Sequence, residues 1–178
     1  IKGEILILGY TPPEQLPLLH HYRLSQTILD YAYAETLKQS GVRLHVHIAV
    51  DTGMHRVGIR CEDTEQIAAV YAFQNLTVDG IYTHLSACDS GSPESRTFTE
   101  YQIAAFYQVT ELLQANGCPC RGVHLLSSYG ILNYPEAAED YVRPGIALYG
   151  LLSSDEDSRL SPLRPVLSLK ARVVSVRT

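Results

Sequence analysis

The pattern that decides the fold lies in the stretch 43–86, RLHVHIAVDTGMHRVGIRCEDTEQIAAVYAFQNLTVDGIYTHLS. It opens with alternating polar and β-branched residues that end in Asp51-Thr52-Gly53, which is typical of a strand followed by a loop. Asp63-Thr64-Glu65-Gln66 then has the pattern of a capping box ahead of an alanine-rich helix. A second strand-like run follows at 76–86. The stretch therefore predicts a strand–helix–strand unit.

The same alternation continues in both directions along the chain. Short apolar runs are separated by Gly and Pro steps and by helical patterns. Strands are predicted at 4–9, 23–27, 43–51, 76–86, 122–127 and 141–151. Helices are predicted between them, at 14–20, 29–39, 63–73, 97–116 and 129–133.

Strands joined through helices run parallel, with right-handed crossovers. Two architectures fit this pattern, a doubly wound open sheet and a (β/α)8 barrel. No Gly-x-Gly-x-x-Gly turn follows any strand, which disfavours a dinucleotide-binding sheet. We therefore predict an α/β fold: a TIM-type (β/α)8 barrel with about six of its eight units present, followed by the start of a β domain.

The chain is expected to divide into a partial barrel at 1–152, a polar linker at 153–162 and the start of a C-terminal β domain at 163–178. It begins directly in one strand-like run and stops inside another. Because a strand needs partners on its edges, we expect an internal fragment of a longer protein.

Composition excludes several classes of function. The net charge of −5 gives no basic stripe, so we expect no nucleic-acid partner. No apolar run approaches the roughly 20 residues of a membrane span, and no signal peptide opens the chain. Cys118-Pro-Cys120 lacks the spacing of a zinc pair. We therefore predict no metal site and reduced thiols in the cytoplasm.

The working residues of such barrels lie at the carboxyl ends of the strands. Ser128 and Gly145 combine a hydroxyl, backbone N–H groups and a helix start, which suit a dianionic phosphate. The candidates at the predicted strand ends are Asp51, Thr52, Gly53, Arg56, Thr83, His84, Ser86, Ser127, Ser128, Arg143, Gly145 and Ile146.

Each candidate has a plainer interpretation when it is taken alone. A lone His84 is more often a packing histidine than a functional one, and a lone Arg56 is usually a surface cation. Ser127 and Ser128 together are typical of a helix cap. Arg143 alone would suit the exposed end of a strand. His45 and His47 fall on one face of a predicted strand, but their spacing does not favour a metal site.

The combination of motifs is more specific than any single residue. Residues 47–58, HIAVDTGMHRVG, resemble the Asp-Thr-Gly-Met-x-Arg segment of the alanine racemases. Three later segments match motifs of that family in the same order along the chain: YTHLS at 82–86, Ser127-Ser128 and VRPGIALYG at 142–150. The resemblance covers nearly the whole chain, and it implies a fold-type-III barrel for pyridoxal 5'-phosphate (PLP) followed by a β domain.

By this resemblance, Arg143 faces the pyridine nitrogen of PLP, His84 orients Arg143, and Arg56 lies near the phenolic oxygen of the cofactor. Because an Arg keeps its proton at neutral pH, the ring nitrogen beside it stays unprotonated and the ring is a weaker electron sink. Proton exchange at the Cα of an amino acid by two bases is then the expected chemistry. The residues implied to hold the phosphate are Ser128, Gly145 and Ile146.

Two positions depart from the common family pattern. Ala49 stands where many members have a lysine, often carboxylated, and Ser127 stands where many have Asn. These changes resemble the membrane-anchored serine/alanine racemases of vancomycin-resistance systems, so the longer protein would carry a membrane part beside a cytoplasmic racemase domain. The family's Schiff-base lysine belongs before Ile1 and its catalytic tyrosine after Thr178. We therefore expect no catalytic residue in this chain and no activity from it alone.

The favoured hypothesis is a piece of a PLP-dependent racemase that interconverts L- and D-alanine, or L- and D-serine, and supplies D-amino acid for peptidoglycan. The expected partners are a small amino-acid substrate and a second copy of the full-length protein in a homodimer. The alternative is a non-catalytic PLP carrier barrel, although such carriers have no second β domain. A decarboxylase is disfavoured because Arg143 would weaken the electron sink that decarboxylation uses.

Overall fold

The computed structural model describes residues 3–152 and 163–176. The chain divides into two compact units, Ile1–Arg143 and Pro144–Thr178. Within the described residues, the first unit contains all the strands and α-helices.

The first unit alternates strands and helices, as the sequence predicts. A 3-10 turn at Pro13–Gln15 precedes the first helix, and another at Pro135–Ala137 follows the last. The strands are β1 (Leu6–Ile7), β2 (Ser25–Ile28), β3 (Leu44–Asp51), β4 (Ile59–Arg60), β5 (Leu76–Tyr82) and β6 (Val123–His124). The helices are α1 (Leu16–Tyr22), α2 (Tyr31–Ser40), α3 (Thr64–Val70), α4 (Pro93–Ala115) and α5 (Ser128–Asn133).

All strand pairs are parallel, and they neighbour one another in the order β1-β2-β3-β5-β6. β4 pairs with the end of β3, where Ile59 lies opposite Val50. An isolated parallel bridge from Ser127 to Arg143 extends the series. The order follows the chain without the reversal that marks a doubly wound sheet. The prediction of a partial TIM-type barrel is therefore confirmed.

β3 forms the centre of this arc. Its residues are buried at every position except His45 and Asp51, as expected for a parallel strand covered on both faces. Ile48 of β3 and Ile81 of β5 are fully buried, and so is Phe106 of α4. The core thus lies between the sheet and its helices, and it holds the strand ends in place.

Local sequence signals set the ends of α2. Asp30 is the N-cap, and its carboxylate accepts a hydrogen bond from the backbone N–H of Tyr33 at 2.6 Å. Gly41 ends the helix in the left-handed conformation at φ 66°. These signals agree with the helix predicted at 29–39.

The start predicted for α4, at residue 97, is wrong. Ser92 is the N-cap, where its hydroxyl accepts a hydrogen bond from the backbone N–H of Ser95 at 3.2 Å, and Pro93 occupies the first helical position. Thr97 lies inside the helix and donates to the carbonyl oxygen of Pro93 at 3.0 Å. The Ser-Pro step therefore begins the helix rather than belonging to a polar loop.

The strand predicted at 141–151 is also wrong. Only Arg143 makes a sheet bridge, and a 3-10 helix forms at Ile146–Tyr149 in the second unit. Pro144 has no N–H for a neighbouring strand and its ring fixes φ, so the extended pairing stops there. In the described part of the second unit, 163–176 forms no strand, and the β domain expected from residue 163 stays a prediction. The linker predicted at 153–162 lies outside the described residues.

Candidate functional site

The guanidinium of Arg143 lies against the carboxyl ends of β5 and β6. Its Nη2 donates to the carbonyl oxygens of Thr83 at 2.7 Å and Leu125 at 3.1 Å, and its Nη1 donates to that of His124 at 3.0 Å. The face of the Tyr82 ring lies 4.8 Å from the guanidinium carbon, a cation–π distance. The main chain at two strand ends therefore fixes the position of the charged group.

Arg143 is a half-buried cation whose hydrogen-bond partners are neutral. Burial lowers the pKa of Arg143 to about 10, with Tyr82 opposing the shift, so the guanidinium keeps its proton at neutral pH. Across the described residues, none of the ion pairs involves Arg143. A cation in this setting is costly unless an acceptor on a ligand meets it. Arg143 therefore indicates a ligand site at this edge of the sheet.

His84 lies beside Arg143, as the resemblance implies. Its Nδ1 is 3.4 Å from Nη2 of Arg143, and it must be the acceptor because a guanidinium has none. Burial, followed by the positive charges of Arg143 and Arg56, lowers the pKa of His84 to about 4. The imidazole is therefore neutral at neutral pH. Arg56 itself is exposed on the loop after β3, close enough for its charge to act on His84.

A turn closed by Asp51 fixes the loop that carries Arg56. Asp51 Oδ1 accepts hydrogen bonds from the backbone N–H groups of Gly53 at 2.9 Å and His55 at 3.0 Å. Burial alone would raise the pKa of Asp51, but these hydrogen bonds and the charge of His55 outweigh it, and the net direction is downward. The Asp-Thr-Gly segment is thus a turn held by hydrogen bonds to the Asp51 side chain, and it places Arg56 near the carboxyl end of β3.

A buried glutamine fixes the loop that carries His84. Gln102 of α4 is fully buried, donates to the carbonyl oxygen of His84 at 3.3 Å, and accepts from the backbone N–H of Ser86 at 3.0 Å. It also donates to Thr52 Oγ1 at 3.3 Å, and that hydroxyl lies 2.8 Å from Thr83 Oγ1. The sequence reasoning missed Gln102, because only the packing of α4 against the strand ends brings it to this loop.

His124 also contacts Arg143, and His47 is linked to Arg143 through it. Nδ1 of His124 contacts Nη1 of Arg143, and Nε2 of His124 lies 3.0 Å from Nδ1 of His47. The pairing of β3 with β2 runs through His45 and His47 without a shift, so the two residues lie on one face as predicted. The pairing with β5 does shift, because Asp79 is an extra residue in β5, and the shift sets Gly80 opposite His47. A bulge of this kind leaves no clear signal in a single sequence.

The residues assigned to the phosphate lie in two units. Ser127 is the N-cap of α5, and Ser128, which is 5% exposed, is the first residue of that helix. Gly145 precedes the 3-10 helix Ile146–Tyr149, which opens the second unit. Each of the two sites is the start of a helix, where backbone N–H groups favour an anion. Their joint role in phosphate binding stays a prediction.

A partial parallel barrel with a half-buried arginine and neutral imidazoles at its strand ends defines the class of protein: a TIM-type α/β barrel with its candidate site at the carboxyl edge. The particular family follows from comparison. Residues 1–153 match the family model of the alanine racemase N-terminal domain. The chain therefore belongs to the alanine racemase family.

Relatives of known name agree with this assignment. The chain is 41% identical to a serine/alanine racemase of Enterococcus gallinarum over 99% of its own length and 26% of that protein's length. It is 40% identical to an alanine racemase of Carboxydothermus hydrogenoformans, over 99% of this chain and 49% of the relative. It thus spans between a quarter and half of the length of these curated relatives.

Solved structures resemble the fold closely. An alanine racemase of Clostridium difficile 630 in complex with cycloserine matches with a TM-score of 0.81 and 27% identity, over 93% of this chain and 46% of that one. An alanine racemase of Bacillus anthracis with bound L-Ala-P matches with a TM-score of 0.81 and 26% identity, over 93% and 44%. Across the described residues, no helix is long and apolar enough to span a membrane.

Proposed function

We propose that this chain is part of a PLP-dependent racemase that interconverts the L and D forms of alanine or serine. The reaction would supply D-amino acid for peptidoglycan. The names of the relatives support racemisation as the reaction class, and they include both alanine and serine as substrates. We further propose that the protein at its full natural length is a homodimer with its racemase domain in the cytoplasm.

The observation that carries the proposal is the way in which the half-buried Arg143 is held. Its guanidinium is held by three carbonyl oxygens and two imidazoles, and none of these five contacts uses Nε. The Nε–H group can therefore donate to an acceptor on a ligand. A pyridine nitrogen with a free lone pair is a fitting acceptor, because a guanidinium only donates.

The donor set fits PLP at the ring and at the phosphate. Arg143 and neutral His84 suit an unprotonated ring nitrogen, and the charge of Arg56 suits an ionised phenolic oxygen. Ser128, Gly145 and Ile146 stand at helix starts, which suit a phosphate dianion. When bound, PLP supplies the electron sink for removal of the Cα proton.

The described residues would bind and orient rather than transfer the proton. Because Arg143 keeps its own proton, the ring nitrogen beside it would stay unprotonated. An unprotonated ring withdraws electrons less strongly, and this would restrain side reactions. His84 accepts a hydrogen bond from Arg143 and steadies it. Among residues 3–152 and 163–176 we assign no group as the base that acts at Cα.

A racemisation assay tests the proposal. The protein at its full natural length is saturated with PLP and incubated separately with L-alanine and L-serine, and the D-enantiomer is measured by chiral chromatography. We expect D-alanine, D-serine or both, with a large loss of rate in Arg143→Ala. Arg121→Ala is the matched control, since Arg121 is an exposed arginine outside the site.

Two outcomes would contradict the proposal. Tight PLP binding without racemisation of either amino acid would favour the non-catalytic carrier barrel. Equal rates in Arg143→Ala and Arg121→Ala would remove Arg143 from the site.

A further inference from the structure

A line of hydrogen bonds joins a solvent-facing carboxylate to Arg143. Glu4 Oε1 accepts from Ser25 Oγ at 2.7 Å and lies 3.1 Å from Nε2 of His47. Nδ1 of His47 lies 3.0 Å from Nε2 of His124, and Nδ1 of His124 contacts Nη1 of Arg143. The Glu4 side chain is 41% exposed, whereas His47 and His124 are 3% and 2% exposed. We call Glu4, His47 and His124 the imidazole relay.

Only one arrangement of protons satisfies every contact in the imidazole relay. A guanidinium has no acceptor, so Nδ1 of His124 must accept from Arg143. Nε2–H of His124 then donates to Nδ1 of His47, and Nε2–H of His47 donates to the carboxylate of Glu4. A second proton on either ring would set two N–H groups against each other. The hydrogen bonds therefore all run one way, from Arg143 to Glu4.

The charges of the groups agree with this arrangement. Burial, followed by Arg143 and His47, lowers the pKa of His124 to about 3, which keeps that ring neutral. Burial alone would raise the pKa of Glu4, but hydrogen bonds from Ser25 and His47 outweigh it, and the net direction is downward. The imidazole relay thus has a neutral ring at His124 and an ionised carboxylate at Glu4.

The sheet is built to let the two rings meet. His47 and His124 lie on strands separated by β5, and they meet over Gly80 of that strand. A Cβ at position 80 would lie 2.1 Å from Nδ1 of His47, so only glycine leaves room for the ring. On its other side, His124 stacks on Tyr82 at 4.7 Å between ring centroids.

We propose that Glu4, His47 and His124 are positioning residues for Arg143. The imidazole relay holds the guanidinium in one orientation and links it to a carboxylate without burying an ion pair, and hydrogen bonds in such a chain polarise one another. Its effect on cofactor binding rests on the function proposed above. The relay runs along a cavity of about 380 Å³ lined by Glu4, Leu6, Leu8, His47, His124, Tyr141 and Arg143.

The proton arrangement is tested without the cofactor by ¹⁵N NMR of the imidazoles. The full-length protein is labelled with ¹⁵N-histidine, and the resonances are assigned with His47→Phe and His124→Phe. We expect both rings to show a protonated Nε2 and an unprotonated Nδ1 near neutral pH. A protonated Nδ1 or an imidazolium signal from either ring would overturn the relay.

The positioning role is tested by PLP titration and by kcat/KM for racemisation. Loss of one net hydrogen bond in Glu4→Ala should weaken PLP affinity and kcat/KM by about threefold to tenfold. Glu4→Gln keeps an acceptor for His47 and should recover part of that loss. His45→Gln is the matched control, because His45 lies on the same strand, is 61% exposed and pairs with Asp79 instead.

The results of these experiments distinguish a failure of the imidazole relay from a failure of the proposed racemase function. If Glu4→Ala matches His45→Gln in PLP affinity and in rate, the positioning role is wrong. If the full-length protein racemises neither amino acid while both imidazoles show the expected protons, the proposed function fails and the relay stands. If racemisation is seen but either tautomer differs, the relay alone fails.

Discussion

Replacing Gly80 with alanine should destabilise the barrel, because the added Cβ would lie too close to His47 and to the backbone of Gly122. The added Cβ would lie 2.1 Å from Nδ1 and 2.3 Å from Cε1 of His47, and 2.8 Å from the carbonyl oxygen of Gly122. His47 is 3% exposed and lines the cavity described above, so its ring can yield only by moving into that cavity. The ring must turn away from His124, and its hydrogen bond to that residue is lost.

The cost follows from these distances. Overpacking a core by one carbon costs about 1–3 kcal/mol. Loss of the hydrogen bond between His47 and His124 adds about 1 kcal/mol. The free energy of unfolding of Gly80→Ala should therefore fall by about 2–4 kcal/mol.

Urea unfolding followed by circular dichroism measures this change. Gly91→Ala is the matched control, since a Cβ there meets no atom within 4 Å, and its stability should change by less than about 0.5 kcal/mol. In the His47→Ala background, where the ring is absent, Gly80→Ala should cost much less. Equal unfolding midpoints for Gly80→Ala and Gly91→Ala would refute the reasoning.

Three further predictions concern pH, the phosphate and the ring. Between about pH 6.5 and 4, the free energy of unfolding should fall as pH falls, because His124 stays neutral in the folded state with a pKa of about 3 while the unfolded residue takes up a proton. His124 alone contributes a slope approaching about 1.4 kcal/mol per pH unit, and urea titrations at several pH values should show a flatter slope for His124→Asn. Ser128→Ala should weaken PLP binding by about tenfold to a hundredfold, the loss of one charge-assisted hydrogen bond, and an unchanged affinity in a PLP titration would place the phosphate elsewhere. Arg143→Glu should raise the yield of transamination product per racemisation event, because a carboxylate allows the ring nitrogen a proton; an unchanged ratio of keto acid to D-amino acid would contradict that role.

The order of strands, and which residues follow them, could be predicted because both depend on local patterns. The alternation around 43–86 places Asp51 and His84 at strand ends, and parallel strands bring those ends to one edge. His84 and Arg143 are in contact, as the resemblance implied. The roles of these residues toward a cofactor stay predictions.

The remainder depends on interactions that a single sequence does not encode locally. The extra residue Asp79 in β5 sets Gly80 opposite His47, and Gly80 leaves space there for the imidazole ring. Gln102 reaches the loop after β5 only through the packing of α4. Pro144 ends the pairing after Arg143, although the apolar residues beyond it are typical of a strand.

Whether Arg143 faces the ring nitrogen of PLP is tested most directly by ¹⁵N NMR of the full-length protein loaded with PLP labelled at that nitrogen. The arrangement of the five contacts around Arg143, which leave its Nε–H group unused, predicts an unprotonated ring nitrogen in the wild type and a protonated one in Arg143→Glu. A protonated ring nitrogen in the wild type, or a resonance that Arg143→Glu leaves unchanged, would contradict the site.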